Sequence, residues 1–238
     1  MIYDIAGLRM DIRNKYSFTD RFCREYLSSD QTSPVDVVAE VSLEEFLDEK
    51  TRSEGFSDGY IENLCIYRQI CRQITVKNRF LLHASIVEYK GNAYAFLGRS
   101  GTGKSTHSKL WLQYVDGAKI LNGDKPILQV TENGVIVYGT PWMGKEQFGY
   151  NGVAPLKGLC FLEQAKENSI EKLSVKETVK RIFPQIMHPV EEEYATKTLE
   201  LVDSLVVSTP AYLLRCDISK EAMEKSFEAL TGEKNIVK

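Results

Sequence analysis

Residues 98–105 read Gly-Arg-Ser-Gly-Thr-Gly-Lys-Ser and satisfy the pattern G-x-x-x-x-G-K-[ST]. Each fixed residue type has a physical task. Gly98, Gly101 and Gly103 let the backbone curl until successive N–H groups point inward and form a nest for phosphate oxygens. A helix beginning at the end of such a loop aims the positive end of its dipole at the same anion. Lys104 supplies a positive charge for the outer phosphates, and the Ser105 hydroxyl is a ligand for Mg²⁺. Ser100, Thr102 and Thr106 lie in or beside the loop and complete the expected nucleotide contacts. With glycine at ~7% of residues, a chance match of the four fixed positions in such a chain is on the order of 1%. The spacing therefore points to a nucleoside triphosphate as ligand.

Phosphoryl transfer or metal binding needs an acidic group as well. Asp124, in Ile120-Leu-Asn-Gly-Asp-Lys-Pro126, follows a short apolar run, the place where functional residues of α/β folds collect. The same stretch also reads as a plain turn with a turn-forming Asp. His83 begins the apolar run that leads into the loop. Among Leu81, Leu82 and Ala84 it reads either as a packed core histidine or as a functional group. His107 falls one turn into the helix after the loop, facing a base or solvent. His188 reads as loop, Trp111 as core, and Glu163 as a second acid or an exposed turn.

These groups need elements to hold them. Ser85–Tyr89 and Ala93–Leu97 are apolar runs around Lys90-Gly91-Asn92, which predicts a hairpin whose second strand ends at Gly98. Ser105–Tyr114 reads as a helix, and 119–121, 127–130, 135–138, 159–162 and 212–216 read as strands. Ser42 with Glu45 and Ser174 with Glu177 are capping boxes that open helices. Helices are also expected over 57–74, 191–207 and 219–230, the last stopped by Gly232. In the first 78 residues, IAGLRMDIR and VDVVAEVS read as strands and nothing carries obvious chemistry. The pattern is α/β with a mixed sheet, because predicted strands often adjoin in sequence. It divides into a small N-terminal α+β region, 1–78, and a nucleotide-binding domain, 79–238.

The chain has 238 residues, 43% of them hydrophobic and 26% charged, which suits an ordinary globular protein and excludes wholesale disorder. Thirty basic and 33 acidic residues are well mixed and give a net charge of −3, so neither a nucleic-acid nor an anionic-membrane surface is expected. The N-terminal residues lack the apolar core of a signal peptide. Five cysteines, with no CxxC pair, suggest free thiols in a cytoplasmic protein rather than disulfides or a zinc site.

The segment from His83 to Ser105 resembles the C-terminal kinase domain of HPr kinase/phosphorylase. That family places a Gly eight residues after a His and the first loop Gly fifteen residues after it, as His83, Gly91 and Gly98 do here. It then has a short strand ending in an Asp-Asp pair, and Asp124-Lys125 stands at that place. The loop is also similar to that of phosphoenolpyruvate carboxykinase, which shares the fold. The resemblance covers about residues 79–165. The stretch Pro210-Ala-Tyr-Leu-Leu-Arg-Cys216 is similar to small stand-alone HPr kinase-like proteins. Residues 1–78 show no such likeness to the N-terminal domain of the full-length enzyme.

The resemblance implies Asp124 as general base, Lys104 on the phosphates, Ser105 and Asp124 toward Mg²⁺, His83 near the transferred phosphate, and a homo-oligomer. Two departures stand out. Lys125 replaces the second Asp and cannot ligate a metal. The family's arginine-containing stretch is replaced by Tyr138-Gly-Thr-Pro-Trp-Met-Gly-Lys-Glu-Gln-Phe-Gly149, a loop in which Lys145 takes over charge neutralisation or is simply solvated. Both departures fall where the acceptor binds. The expectation is an ATP- and Mg²⁺-dependent kinase acting on a hydroxyl, of the serine type, on a peptide, a protein or a small molecule. The alternative is an ATPase or nucleotide switch with no acceptor. A carboxykinase-like lyase or a degenerate binding module fits less well.

Overall fold

A computed structural model of the chain describes residues 1–187, 189 and 191–234. The loop expected at His188 lies outside the described residues. The N-terminal region forms a three-stranded sheet from β1 (Ile2–Ile5), β2 (Leu8–Arg13) and β3 (Val37–Glu40). The run IAGLRMDIR, expected as one strand, is instead broken into a hairpin. Ala6 and Gly7 take φ of +54° and +68°, and this left-handed pair reverses the chain. Helices α1 (Ser17–Phe22), α2 (Leu43–Arg52) and α3 (Asp58–Gln73) accompany the sheet. The capping box at Ser42 and Glu45 is formed and opens α2.

The remaining strands build a nine-stranded mixed sheet. They are β4 (Arg79–Leu81), β5 (Ala84–Tyr89), β6 (Asn92–Leu97), β7 (Lys119–Asn122), β8 (Ile127–Thr131), β9 (Gly134–Tyr138), β10 (Val153–Gln164), β11 (Ser169–Lys172) and β12 (Ala211–Cys216). Between them run α4 (Lys104–Tyr114), α5 (Val175–Ile182), α6 (Glu192–Ser208) and α7 (Lys220–Thr231). Strand β10 is far longer than the run 159–162 read from sequence, because it serves two partners in succession. Its first residues pair antiparallel with β9, and its second half lies parallel between β6 and β12. The alternation of exposed and buried residues over Val153–Gly158 (exposed Val153, Pro155 and Lys157) hides this part of the strand from a search for apolar runs.

Period-two alternation distributes the core. On β6, Ala93, Ala95 and Leu97 face a cluster shared with Leu201 and Leu205 of α6, while Tyr94 and Phe96 face Trp111 of α4 and Phe227 of α7. On β4, Phe80 joins the α6 side and Leu81 the opposite side. There Leu81, Ile127 of β8 and Trp142 pack into one cluster with Ile66, Tyr67 and Ile70 of α3. The N-terminal region thus seals the outer face of β4 and β8. All five cysteines are buried and unbridged. Among the described residues, no helix is long and apolar enough to cross a membrane.

Candidate active site

The phosphate-loop motif lies between the carboxyl end of β6 and the start of α4, with β6 paired to β5 on one side and to β10 on the other. Gly103 is the N-cap of α4 at φ +102°, a conformation that costs a side chain with Cβ about 1–2 kcal/mol. The amide N–H groups of the first turn of α4 are the free donors of a helix start. Lys104 is buried, and its Nζ donates to the carbonyls of Gly98 at 2.9 Å and Arg99 at 3.4 Å. Burial pushes its ammonium below its ordinary pKa, and the Asp124 carboxylate partly offsets this. Thr102 Oγ1 closes the loop internally on the Arg99 carbonyl at 2.8 Å.

Asp124 is held from two directions. Asn122, fully buried at the end of β7, accepts through Oδ1 from the backbone N–H of Asp124 at 3.0 Å and of Lys125 at 2.8 Å. Its amide nitrogen donates to the Thr140 carbonyl and hydroxyl, both at 3.1 Å, and Thr140 Oγ1 in turn donates to the Lys125 carbonyl at 2.7 Å. The turn is therefore a satisfied buried network, and such networks fix one geometry. From the other side His83 Nε2 lies 3.2 Å from Asp124 Oδ1. An ionised carboxylate only accepts, so Nε2 carries the proton. The His83 backbone is pinned as well: its N–H donates to the Gln185 carbonyl at 2.7 Å, and the next N–H, of Ala84, donates to the Asp124 carbonyl at 3.0 Å.

Burial alone raises the Asp124 pKa. The hydrogen bond from His83, followed by the charges of Lys125, His83 and Lys104, outweighs it and holds the carboxyl below its ordinary value of 3.8. Asp124 is ionised at neutral pH.

The stretch Pro141–Gly149 crosses in front of these groups. Trp142 anchors it in the core against Tyr67, ring centroids 5.2 Å apart, and Glu146 ties it to Lys109 on α4 at 2.8 Å. Gly144 at φ +81° presses on the acid, and a Cβ there would lie 3.0 Å from Asp124 Cβ. Lys145 projects from this loop and is exposed.

One cavity of about 640 Å³ collects His83, Ser100, Gly101, Gly103, Lys104, Ser105, Thr106, Asp124 and Lys145. Gly98 and Thr102 do not line it; Gly98 contributes the carbonyl that holds Lys104, and Thr102 lines an adjoining cavity with Gly101 and Gly103. For a hard divalent cation the cavity offers the Ser105 hydroxyl and the Asp124 carboxylate, with the Ser100 and Thr106 hydroxyls and Glu146, which is paired to Lys109, also in its lining. That sparse oxygen set fits Mg²⁺, which binds through one or two carboxylates with substrate phosphates and water completing its shell. Lys125 also lines this cavity but, as a cation, cannot ligate a metal; its Nζ lies 4.7 Å from the centre of the Tyr67 ring.

His107 is buried rather than facing a base or solvent. Its Nε2 bonds Ser226 Oγ at 2.8 Å, and burial lowers its pKa to about 4. Trp111 is core, as expected. Glu163 pairs with Arg181 at 2.6 Å and Arg215 at 3.4 Å and does not line the cavity. Two residues that hold the turn, Asn122 and Thr140, belong to no chemistry-bearing motif of the sequence. Asn-Gly-Asp was the available signal, since an Asn side chain that bonds the backbone N–H two residues on is a standard turn former. Thr140, eighteen residues from Asn122, carries no local signal.

No family model and no curated protein matches the chain. Among solved structures it is similar to the Hpr(Ser) kinase/phosphatase from Coxiella burnetii, at 14% sequence identity and a TM-score of 0.30, over 50% of this chain and 87% of that one.

Proposed function

We propose that the protein is a kinase that binds ATP on the 98–105 loop and transfers the γ-phosphate to a hydroxyl of the serine type. The observation that carries this is the Asp124 carboxylate, held ionised and hydrogen-bonded by His83 in the same cavity as Lys104 and Ser105. A loop built only to bind a nucleotide has no need of a carboxylate oriented by a histidine and a buried asparagine at its mouth. Asp124 takes the proton from the acceptor hydroxyl as its oxygen attacks the γ-phosphorus. The bond from that phosphorus to the oxygen bridging to the β-phosphate breaks, and ADP leaves. Lys104 and the loop N–H groups meet the charge that develops on the phosphate oxygens, and Lys145 adds a cation from the covering loop. His83 keeps Oδ1 occupied and leaves Oδ2, beside Gly144, for the acceptor. Ser105, with Asp124 at its edge, would hold a Mg²⁺ ion, which would supply neutralisation of phosphate charge. The small N-terminal region, 1–78, and the nucleotide-binding domain, 79–238, form a division of labour in which the second holds the nucleotide.

Calorimetry with ATP and Mg²⁺ tests the site. Wild type is expected to bind, Lys104→Ala to lose most of its affinity, and Asp124→Asn to bind while losing about 10²–10⁴-fold in transfer. Absence of binding by the wild type overturns the proposal. Turnover of ATP at an undiminished rate with no acceptor present points instead to a hydrolase.

A further inference from the structure

Asp124 is reached from two cavities. Besides the one on the loop side, a second of about 350 Å³ includes Asp124, Lys125, Gly144 and Lys145 in its lining. The rest of its wall belongs mainly to the N-terminal region and is aromatic or apolar: Phe18 and Phe22 of α1, Tyr60, Leu64 and Tyr67 of α3, and Trp142 of the covering loop. Its volume lies at the lower end of the ~300–1,000 Å³ typical of small-molecule sites. The rings brace one another, Phe18 edge-on to Tyr60 at 5.9 Å and Tyr67 against Trp142 at 5.2 Å, so the wall is already formed. Gly59 lets α1 approach α3 this closely, since a Cβ there would meet Phe18 Cβ at 2.8 Å.

Two observations mark this cavity as more than packing slack. Asn63 and Trp142, both buried and both in its lining, carry polar atoms with no hydrogen-bond partner, Oδ1 and Nε1. An unsatisfied buried polar group is destabilising, and the two residues that carry this acceptor and this donor both line one small cavity. The charges are also one-sided. Lys125 already occupies the face of Tyr67, and Lys145 stands beside it, while Asp124 is the sole acidic residue in the lining. A cationic ligand is disfavoured there; a neutral or anionic one is not.

We infer that this cavity is the acceptor subsite, and that the acceptor carries its hydroxyl beside a compact apolar or aromatic group and has no positive charge. Residues 1–78 would then form the substrate-selecting wall of the enzyme. This rests on the kinase proposal above. N-acetyl-L-seryl-L-phenylalanine is a suitable probe, with N-acetyl-L-seryl-L-lysine amide as its cationic contrast and a ten-residue peptide containing Ser-Phe as the longer form. Binding is measured by calorimetry on wild type, Lys104→Ala, Leu64→Trp, which fills the cavity, and Phe22→Ala, which removes part of its wall. Far-UV circular dichroism and thermal melts check that the cavity variants are folded.

The expected result is equal probe binding by wild type and Lys104→Ala, at least tenfold weaker binding by both cavity variants, and weaker binding of the lysine probe. A stronger response to the ten-residue peptide identifies a chain as the source of the hydroxyl; equal responses identify a free small molecule. Unchanged affinity in both cavity variants overturns the inference. So does wild type that binds ATP but neither phenylalanine-containing probe. If the probes bind and the cavity variants weaken them while wild type fails to bind ATP, the subsite stands and the phosphotransfer function falls.

Discussion

At the scale of single residues, the site depends on one carboxylate being ionised, oriented and partly dry. The Asp124 pKa lies below its ordinary value because His83, Lys125 and Lys104 together outweigh burial. The acid limb of the rate profile is therefore expected below about pH 4. Lys104→Ala removes one of those charges and moves the limb upward. A limb between pH 5 and 7 that is unchanged in Asp124→Asn would belong to another group and not to Asp124. The same shift bears on stability. A folded-state pKa below the unfolded value adds stability above the unfolded pKa of about 3.9, and this is lost as pH falls through the folded value. Asp124→Asn is expected to flatten that part of an acid-denaturation series. His83→Ala is expected to lower kcat on the order of 10²-fold with ATP affinity retained, while His83→Gln, which can still donate to Oδ1, recovers part of the loss. Steady-state kinetics on the pair separates orientation from simple structural damage.

At the scale of elements, α4 joins the loop to the core. Ser226 of α7 donates its hydroxyl proton to the Met223 carbonyl, so its oxygen accepts from Trp111 Nε1 and from His107 Nε2. His107 is thereby held neutral with its proton on Nε2. Its folded pKa of about 4 lies below the ordinary 6.5. Stability is full above pH 6.5, and it falls as pH drops from there to about 4, because over that interval only the unfolded chain gains the proton. The loss amounts to about 3 kcal/mol at most. Denaturant melts from pH 7 to 4 on wild type and His107→Gln check this, with the variant expected to show a shallower decline. The covering loop is the other element under constraint. Gly144→Ala places a Cβ in a left-handed conformation against Asp124, at a cost of about 1–2 kcal/mol in stability. Transfer is expected to fall much more than ATP affinity, since the displaced group is the proposed base and not the loop.

At the scale of the whole molecule, two sheets share an interface rather than a linker. Leu81, Ile127 and Trp142 belong to the same cluster as Ile66, Tyr67 and Ile70, and Arg79 Nε donates to the Ala6 carbonyl at 2.9 Å. The three-stranded and nine-stranded sheets are accordingly expected to unfold in a single transition by calorimetry. A chain lacking residues 1–78 exposes the outer face of β4 and β8 and is expected to aggregate. Two resolved transitions, or a soluble truncated chain, would show that the regions fold apart.

The local patterns of this protein were written in its sequence. The 98–105 motif, the hairpin before it, the two capping boxes and the α/β alternation depend on residue types at short spacing, where backbone geometry leaves few choices. His83 and Asp124 could be named as candidates, but each also had a bland alternative, because 41 positions separate them and no local rule brings them together. Only the antiparallel placement of β5 beside β7 does so. The same holds for Asn122 with Thr140, for the double service of β10, and for the aromatic cavity between α1, α3 and Trp142. Local sequence sets φ, ψ and periodicity within a few residues. Which distant side chains share a cavity, which histidine is dry and which carboxylate stays charged follow from packing over the whole chain, and that was decided by the tertiary structure alone.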